Sequence, residues 1–360
     1  MSWVGDRSNW FRVDVEGTTL FVDSSTISTV APIEDIVVRL NDGIEIQTRS
    51  LGTIKCDARR PDGDINLISH AHTDHLPTSI DTDSVVCSSV TASLAQERRN
   101  LDGCVPSQHD AIELHPAGHI DGSRAALIQD GDVDILFTGD VSVRDRWGLD
   151  GFDPISADIL ILEATYGSPE YTFPSCDDVE QSVADWLASR DGLAILYAYA
   201  LGKAQRVQHL LDRVHTGRVF VTENIAQLDA IIAEHEGDAL ETAVFEPSTT
   251  PRDNDVIVTT RTSARTDWFQ DCLEEHPVST AGCSGWALDS GYIYRGRVDA
   301  GFPMSDHCDF AELLDLVREV DPEVTYLHHG FRHELARALT REGFDARALQ
   351  RHQSTLEAYS

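Results

Sequence analysis

Over residues 10 to 60 the apolar positions recur every second residue, the period of strands with one buried face. That pattern predicts strands at Trp10 to Val15, Thr19 to Val22, Ile36 to Leu40, Ile44 to Thr48 and Gly52 to Cys56, with Asp42-Gly43 as a turn between two of them. A second block adds an apolar run at Ile65 to Ile68, a strand at Ser84 to Cys87 and a helix at Val90 to Arg99. Strands resume at Ala111 to Leu114, Ala125 to Ile128, Val133 to Phe137 and Ile159 to Leu162. From about residue 174 the pattern changes to alternating helix and strand. Helix Asp177 to Ser189 precedes strand Leu193 to Ala200, a helix opened by Gly202-Lys203-Ala204-Gln205-Arg206, strand Val219 to Thr222, helix Ile225 to Glu234 and strand Val256 to Thr260. Such alternation implies a parallel, doubly wound sheet. A helix through Val317, strand Glu323 to His328 and helix Glu334 to Glu342 close the chain. With no internal repeat or long linker, the alternating segment reads as an insertion into one globular body.

The polar residues that matter follow directly on these apolar runs. His70-Ala71-His72-Thr73-Asp74-His75 comes straight after Ile65 to Ile68. Side chains two apart on an extended backbone point the same way, so His70, His72 and Asp74 can converge while His75 faces a second point. Imidazole and carboxylate are the ligands zinc favours, and this density suits a pair of metals. Further polar landmarks interrupt the apolar pattern: Asp57 at a strand end, Gly118-His119, Gly139-Asp140, Glu163 after Ile159 to Leu162, Ser305-Asp306-His307, and His328-His329-Gly330.

Composition changes the picture in one respect. The chain has 61 Asp and Glu against 28 Lys and Arg, a formal charge of −33, and Lys55 and Lys203 are its lysines. Acids spread along a chain nearly stripped of lysine fit a halophile working in molar salt better than an acidic block seeking a basic partner. At that salt the Debye length is about 3 Å, so global charge does not exclude a nucleic-acid substrate. The seven scattered cysteines, without a C-x-x-C pair, fit reduced thiols. No apolar run approaches a membrane span and the N-terminus lacks a signal pattern, so the expectation is no membrane and a cytoplasmic location.

H-x-H-x-D-H, Gly-His119 and Gly-Asp140 resemble the metallo-β-lactamase superfamily. Glu163 in Leu-Glu-Ala-Thr-Tyr-Gly, His307 in Ser-Asp-His and His329 before Gly330 resemble the three extra motifs of its β-CASP nuclease branch. Tyr199 to Arg206 and Ser284-Gly285-Trp286 are similar to the small DNA-ligase-associated exonuclease, or archaeal mRNA 3′-end processing factor-like, type. The likeness runs from about residue 36 to the end. It implies an α/β fold, an αββα metallo-β-lactamase sandwich with an inserted doubly wound parallel-sheet β-CASP domain. Its expected boundaries are 1–172 and 301–360 for the sandwich and 173–300 for the insertion. It also implies two zinc ions, with manganese as the alternative. His70, His72 and His119 would hold the first ion, Asp74, His75 and His329 the second, and Asp140 would bridge them. Asp57 would support the histidine loop by hydrogen bonds. His115 and His328, beside those ligands, read as structural.

The resemblance further implies hydrolysis of a phosphodiester by a hydroxide bridging the metals. His307 would be the general acid, Glu163 its orienting partner, and Asp74 a member of the catalytic set. Lys203, Gln205, Arg206 and Ser305 are the candidate phosphate contacts, the first three because a helix start offers N–H groups and cations to an anion. The expected activity is a nuclease, an exonuclease on single-stranded DNA in repair, and association with a DNA ligase or helicase would fit. The alternative is RNA 3′-end processing or decay, toward which histidine at position 329 pulls. A silent scaffold and a small-molecule metallohydrolase are the remaining readings.

Overall fold

The computed structural model describes residues 10–15, 18–23, 33–80, 85–101, 104–237, 239–274 and 276–350, and every structural statement concerns these. Strands β1 (Trp10–Val15) and β2 (Thr18–Asp23) pair antiparallel. Strands β3 (Val37–Leu40), β4 (Ile44–Gln47), β5 (Thr53–Cys56), β6 (Ile65–Leu67), β7 (Val85–Val86) and β8 (Pro106–Ser107) make a six-stranded sheet in that order. Helix α1 (Ser89–Arg99) lies between the last two and is capped by Ser88, whose Oγ accepts the Thr91 N–H. Ser84, the expected start of β7, is outside the described residues.

Next come β9 (Ile112–Pro116), β10 (Arg124–Asp130), β11 (Val133–Phe137) and β12 (Ile159–Glu163). The chain then leaves for an insertion: α2 (Cys176–Ser189), β13 (Leu193–Tyr197), α3 (Lys203–Val214), β14 (Val219–Val221), α4 (Glu223–Glu236), β15 (Ala243–Val244), β16 (Val256–Thr259), the single turn α5 (Asp267–Asp271), β17 (Val278–Cys283), the single turn α6 (Tyr292–Gly296) and β18 (Ala300–Phe302). It returns with α7 (Phe310–Val320), β19 (Val324–His328), α8 (Arg332–Glu342) and β20 (Ala346–Ala348). β19 slots in parallel beside β12, pairing Glu163 with His328, so the second sheet runs β20-β19-β12-β11-β10-β9.

The two sheets pack face to face because their strands alternate inward. Ile159 and Ile161 of β12 meet Ile46, Ile54 and Leu67 across the sandwich, while Leu160 and Leu162 point outward against Leu313, Leu316 and Val317 of α7 and Leu335 of α8. β12 is buried on both faces, which is why it reads as an unbroken apolar run. On the outer face of the first sheet, Val85, Cys87 and Ile68 take Ala92 and Ala95 of α1. The architecture is the expected αββα sandwich.

The insertion forms an all-parallel sheet, β15-β14-β16-β13-β17-β18, with its own core of Leu196, Val207, Leu211, Val221 and Val258. β18 belongs to it by register, Cys283 opposite Phe302, so its strands run past the boundary expected at residue 300. The strand expected to reach Ala200 stops at Tyr197. Chain order reverses around β13: β14 and β15 lie to one side, β17 and β18 to the other. Such a switch point opens a crevice at the strand's C-terminal end. No helix among the described residues is long and apolar enough to cross a membrane.

Candidate metal centre

Parallel strands share the edge at which their C-termini emerge, and that edge collects the site. β11 delivers Asp140, β12 delivers Glu163 and β19 leads into His329, while the loop after β6 supplies His70, His72 and His75. His119 enters from the β9–β10 loop, where Gly118 at φ +65° lets the backbone lie against Ser142 and Phe152 as no side-chain-bearing residue could. His329 itself sits at φ 58°. Gly330 after it has φ +38°, and a Cβ there would stand 2.1 Å from the Ala164 carbonyl. Left-handed backbone at a histidine stores strain, which is characteristic of functional positions.

Four side chains, His70, His72, His119 and Asp140, bring ligand atoms within 4.8 Å of one another, as do His75, Asp140 and His329. The outer nitrogen of each inner histidine is already used. His72 Nε2 donates to the Leu201 carbonyl at 3.2 Å and His119 Nδ1 to the Asp306 carbonyl at 2.8 Å. Ser69 Oγ donates to Asp57 Oδ2 at 2.6 Å and therefore accepts from His70 Nδ1 at 2.9 Å. The inner nitrogens are left with lone pairs facing one another. His119 Nε2 stands 3.1 Å from His72 Nδ1, and His70 Nε2 is buried without a hydrogen-bond partner.

Burial, reinforced by the neighbouring imidazoles, pushes His70 and His119 well below the ordinary histidine range and His72 below it, so protons do not relieve this opposition. Asp140 Oδ2 lies 3.5 Å from His70 Nε2, 3.4 Å from His75 Nε2 and 3.7 Å from His119 Nε2. These distances exceed hydrogen bonds but match the spacing of about 3.3 Å that tetrahedral ligands of one ion adopt at bond lengths near 2.0–2.1 Å. Burial also lowers His75, yet the Asp140 and Asp57 carboxylates outweigh it and raise its pKa to about 10, so this part of the site favours positive charge. Convergent neutral imidazoles around one carboxylate fit divalent ions.

Asp57 stands with His70 and His75 in a third convergent group, but both of its oxygens are already engaged in hydrogen bonds. Oδ1 accepts the Ser69 N–H at 2.7 Å, and Oδ2 accepts from Ser69 Oγ and, at 2.9 Å, from His75 Nδ1. One carboxylate thus orients two histidines of the loop. Asp74 is not drawn into any of these groups. Its side chain is 82 % exposed, 3.9 Å from His75 Nε2, on a loop held by Arg98 and Arg99 through Thr73. His307 Nδ1 donates to Glu163 Oε1 at 2.8 Å, and both lie beside Asp140. His115 is remote, facing Glu113 at 3.5 Å, and His328 is buried behind His329 against Phe137.

A cleft of about 510 Å³ opens over these residues, lined also by Arg98, Lys203, Ser305 and His307. The four expected phosphate contacts divide here. Lys203 and Ser305 face the cleft, although Lys203 Nζ is held 2.7 Å from Asp306 Oδ1. Gln205 and Arg206 correct the sequence reading, because both turn inward. Gln205 Oε1 accepts the Gly202 N–H and its amide donates to Asp229. Arg206 makes two bonds to Asp121, at 2.7 and 3.0 Å, with 1 % of its side chain exposed. We expect Arg206→Ala to cost roughly 3–5 kcal/mol in urea denaturation, since it strands a buried carboxylate. A phosphate contact would instead alter KM with stability intact.

Sequence reasoning missed Arg146. This buried guanidinium bonds the carbonyls of Gly118, His119 and Ser305 and pairs with Asp306 Oδ1 at 3.0 Å. It ties the His119 loop to the His307 loop. The signal was absent from the sequence, where a lone arginine in a loop looks like surface.

No family model matches the chain. A probable DNA ligase of Opitutus terrae is 32% identical over 298 residues, covering 79% of this chain and 28% of that protein. A probable RNase MJ4 of Methanocaldococcus jannaschii is 24% identical over 266 residues, covering 61% and 62%. Cleavage and polyadenylation specificity factor subunit 3 of Dictyostelium discoideum is 27% identical over 195 residues, covering 42% and 25%. The chain therefore spans between about a quarter and under two thirds of these relatives. A crystal structure of a protein of unknown function from Enterococcus faecalis V583 superposes with a TM-score of 0.58 at 15% identity, covering 87% of this chain and 96% of that one, and so shares its fold. With its sequence similarity to these nucleases and ligase-type relatives, and with a parallel sheet inserted between Glu163 and His307, the chain belongs to the β-CASP branch of the metallo-β-lactamase superfamily.

Proposed function

We propose that the protein is a two-metal phosphodiesterase, a nuclease of exonuclease type acting on single-stranded DNA in repair. The observation that carries the reading is the Glu163–His307 pair at 2.8 Å beside the Asp140 cluster. A histidine-rich metal site alone would suit any hydrolysis, but a nucleotide leaving group departs as an alkoxide and needs a proton. His70, His72, His119 and Asp140 would hold one divalent ion and His75, Asp140 and His329 another, with zinc the expected metal and manganese the alternative. Ions there would neutralise the phosphodiester and generate a nucleophile from water near neutral pH.

His307 would supply the proton to the leaving oxygen. Burial lowers its pKa, but the charge and hydrogen bond of Glu163 outweigh this and raise it, so the protonated form extends to higher pH than in an ordinary histidine. Glu163 is itself buried, yet His307 and Thr165 hold its pKa down to about 2, so it remains a carboxylate across the working range. Its bond to Nδ1 leaves Nε2 for the cleft. Arg98, on the wall of that cleft, is the cation best placed for the substrate's other phosphate oxygens, while Lys203 lines the same cleft paired with Asp306.

DNA is favoured by the long match to the Opitutus probable DNA ligase, and association with a ligase or helicase is consistent with it. The second reading, RNA processing or decay, draws on the probable RNase and on the histidine at position 329. The acid-rich composition supports assay in molar KCl and a cytoplasmic, halophilic setting. The test is a cleavage time course on end-labelled DNA and RNA of one sequence, with and without chelator. DNA loss from one end, stopped by chelator, is expected. Preference for RNA would replace the repair assignment, and no cleavage of either strand by metal-loaded protein would overturn the nuclease reading.

A further inference from the structure

A second cavity, about 450 Å³, opens at the switch point of the inserted sheet and adjoins the metal cleft, with Tyr199, Ala200, Ser284 and Trp286 lining both. Its wall departs from the chain's character. It carries four aromatic residues, Tyr197, Tyr199, Trp286 and Tyr292, and one cation, Arg261, with no described Asp or Glu, although the chain has 61 acids and is 7% aromatic. Tyr199, just past the end of β13, is 67% exposed and Trp286 41%. Exposed rings at this density mark a binding surface.

Trp286 is also held firmly. Its ring packs on Tyr166 at 5.0 Å and edge-on to Tyr171 at 5.5 Å, which leaves its remaining surface to the cavity. Arg261 lies 4.6 Å over Tyr197 and donates to the Gly296 carbonyl at 2.8 Å, which fixes a positive charge at the far end.

We infer that this cavity is a base-stacking subsite, in which Tyr199 and Trp286 take an unpaired nucleobase of the strand whose phosphodiester lies in the metal cleft, with Arg261 beside the adjoining phosphate. The inference rests on the proposed nuclease function. Flat apolar rings offer a face to any base, whatever its sequence. At molar salt, which the composition fits, phosphate contacts are screened within about 3 Å and stacking becomes the durable source of affinity.

The test is a cycle between protein and substrate. Metal-loaded wild type and Tyr199→Ala are compared on an oligonucleotide and on the same strand with one abasic nucleotide walked past the cut. In wild type one abasic position should raise KM roughly tenfold, the scale of losing one base–aromatic stack. In Tyr199→Ala the intact strand should show a raised KM and the abasic penalty should shrink severalfold, and Tyr199→Phe should restore the discrimination. An abasic penalty of the same size in wild type and Tyr199→Ala, or none at any position, overturns the subsite while cleavage itself upholds the nuclease reading. Failure of wild type to cut any strand overturns both.

Discussion

An Asp140→Asn protein is expected to fold, to bind fewer divalent ions than wild type, and to lose roughly a thousandfold or more in phosphodiester cleavage, the scale seen when a residue anchors a whole catalytic constellation. Asp140 is shared by the group with His70, His72 and His119, the group with His75 and His329, and the group with Glu163 and His307. Its Oδ2 is the nearest approach to three imidazole nitrogens, at 3.4 to 3.7 Å. Asparagine keeps the shape and removes both the charge and one ligand oxygen, so any loss is chemical rather than steric. Metal analysis after dialysis and kcat/KM on a labelled strand check it. A full metal complement with near-normal rates would remove Asp140 from the centre. The metal-free protein offers an independent readout. Burial lowers the His75 pKa and the Asp140 charge is the largest influence raising it, so asparagine should bring it down from about 10 in an NMR titration.

The candidate ligands and Glu163 were legible because they cluster in sequence: His70, His72 and His75 ride on one strand end, and Asp140, Glu163 and His329 each follow an apolar run that reads as a buried strand. The supporting network was not, because its partners are distant. Arg146 reaches Ser305 and Asp306 across about 160 positions, and nothing local distinguishes it from a surface arginine. Arg206 failed for the converse reason. A helix start does present cations, but the sequence does not say which way they turn, and the buried Asp121 carboxylate determined that. Asp74 has the right spacing and lines the metal cleft 3.9 Å from His75 Nε2, on a loop held by Arg98 and Arg99, but stands outside the two convergent groups around Asp140. β18 and β20 are three residues each and exist only by pairing with longer neighbours, Phe302 with Cys283 and Ala348 with Leu327, so no periodicity announces them. Short edge strands are read from a sheet, not from a window of sequence.

His307→Ala should retain its metals and lose roughly 10²- to 10⁴-fold in strand cleavage, the usual contribution of a positioned acid. Rate alone would not separate an acid from a ligand, since the His307 ring lies 4.5 Å from that of His119. The leaving group does separate them. A nucleoside alkoxide needs the proton, whereas p-nitrophenolate departs without one. The variant should therefore lose far less on bis(p-nitrophenyl) phosphate than on a labelled strand. Equal losses on both substrates would deny the acid role, and loss of metal would make His307 a ligand. Glu163→Gln tests the orienting partner through pH. In the folded protein Glu163 raises the His307 pKa against the effect of burial, so the donor form survives to higher pH and is lost as pH rises through that value. Removing the carboxylate charge lets burial dominate, so the alkaline limb of kcat should move to lower pH while the hydrogen bond to the amide oxygen keeps the ring in place. An alkaline limb that stays put would mean the titrating group is not His307, and would return Glu163 to a purely structural role at the end of β12.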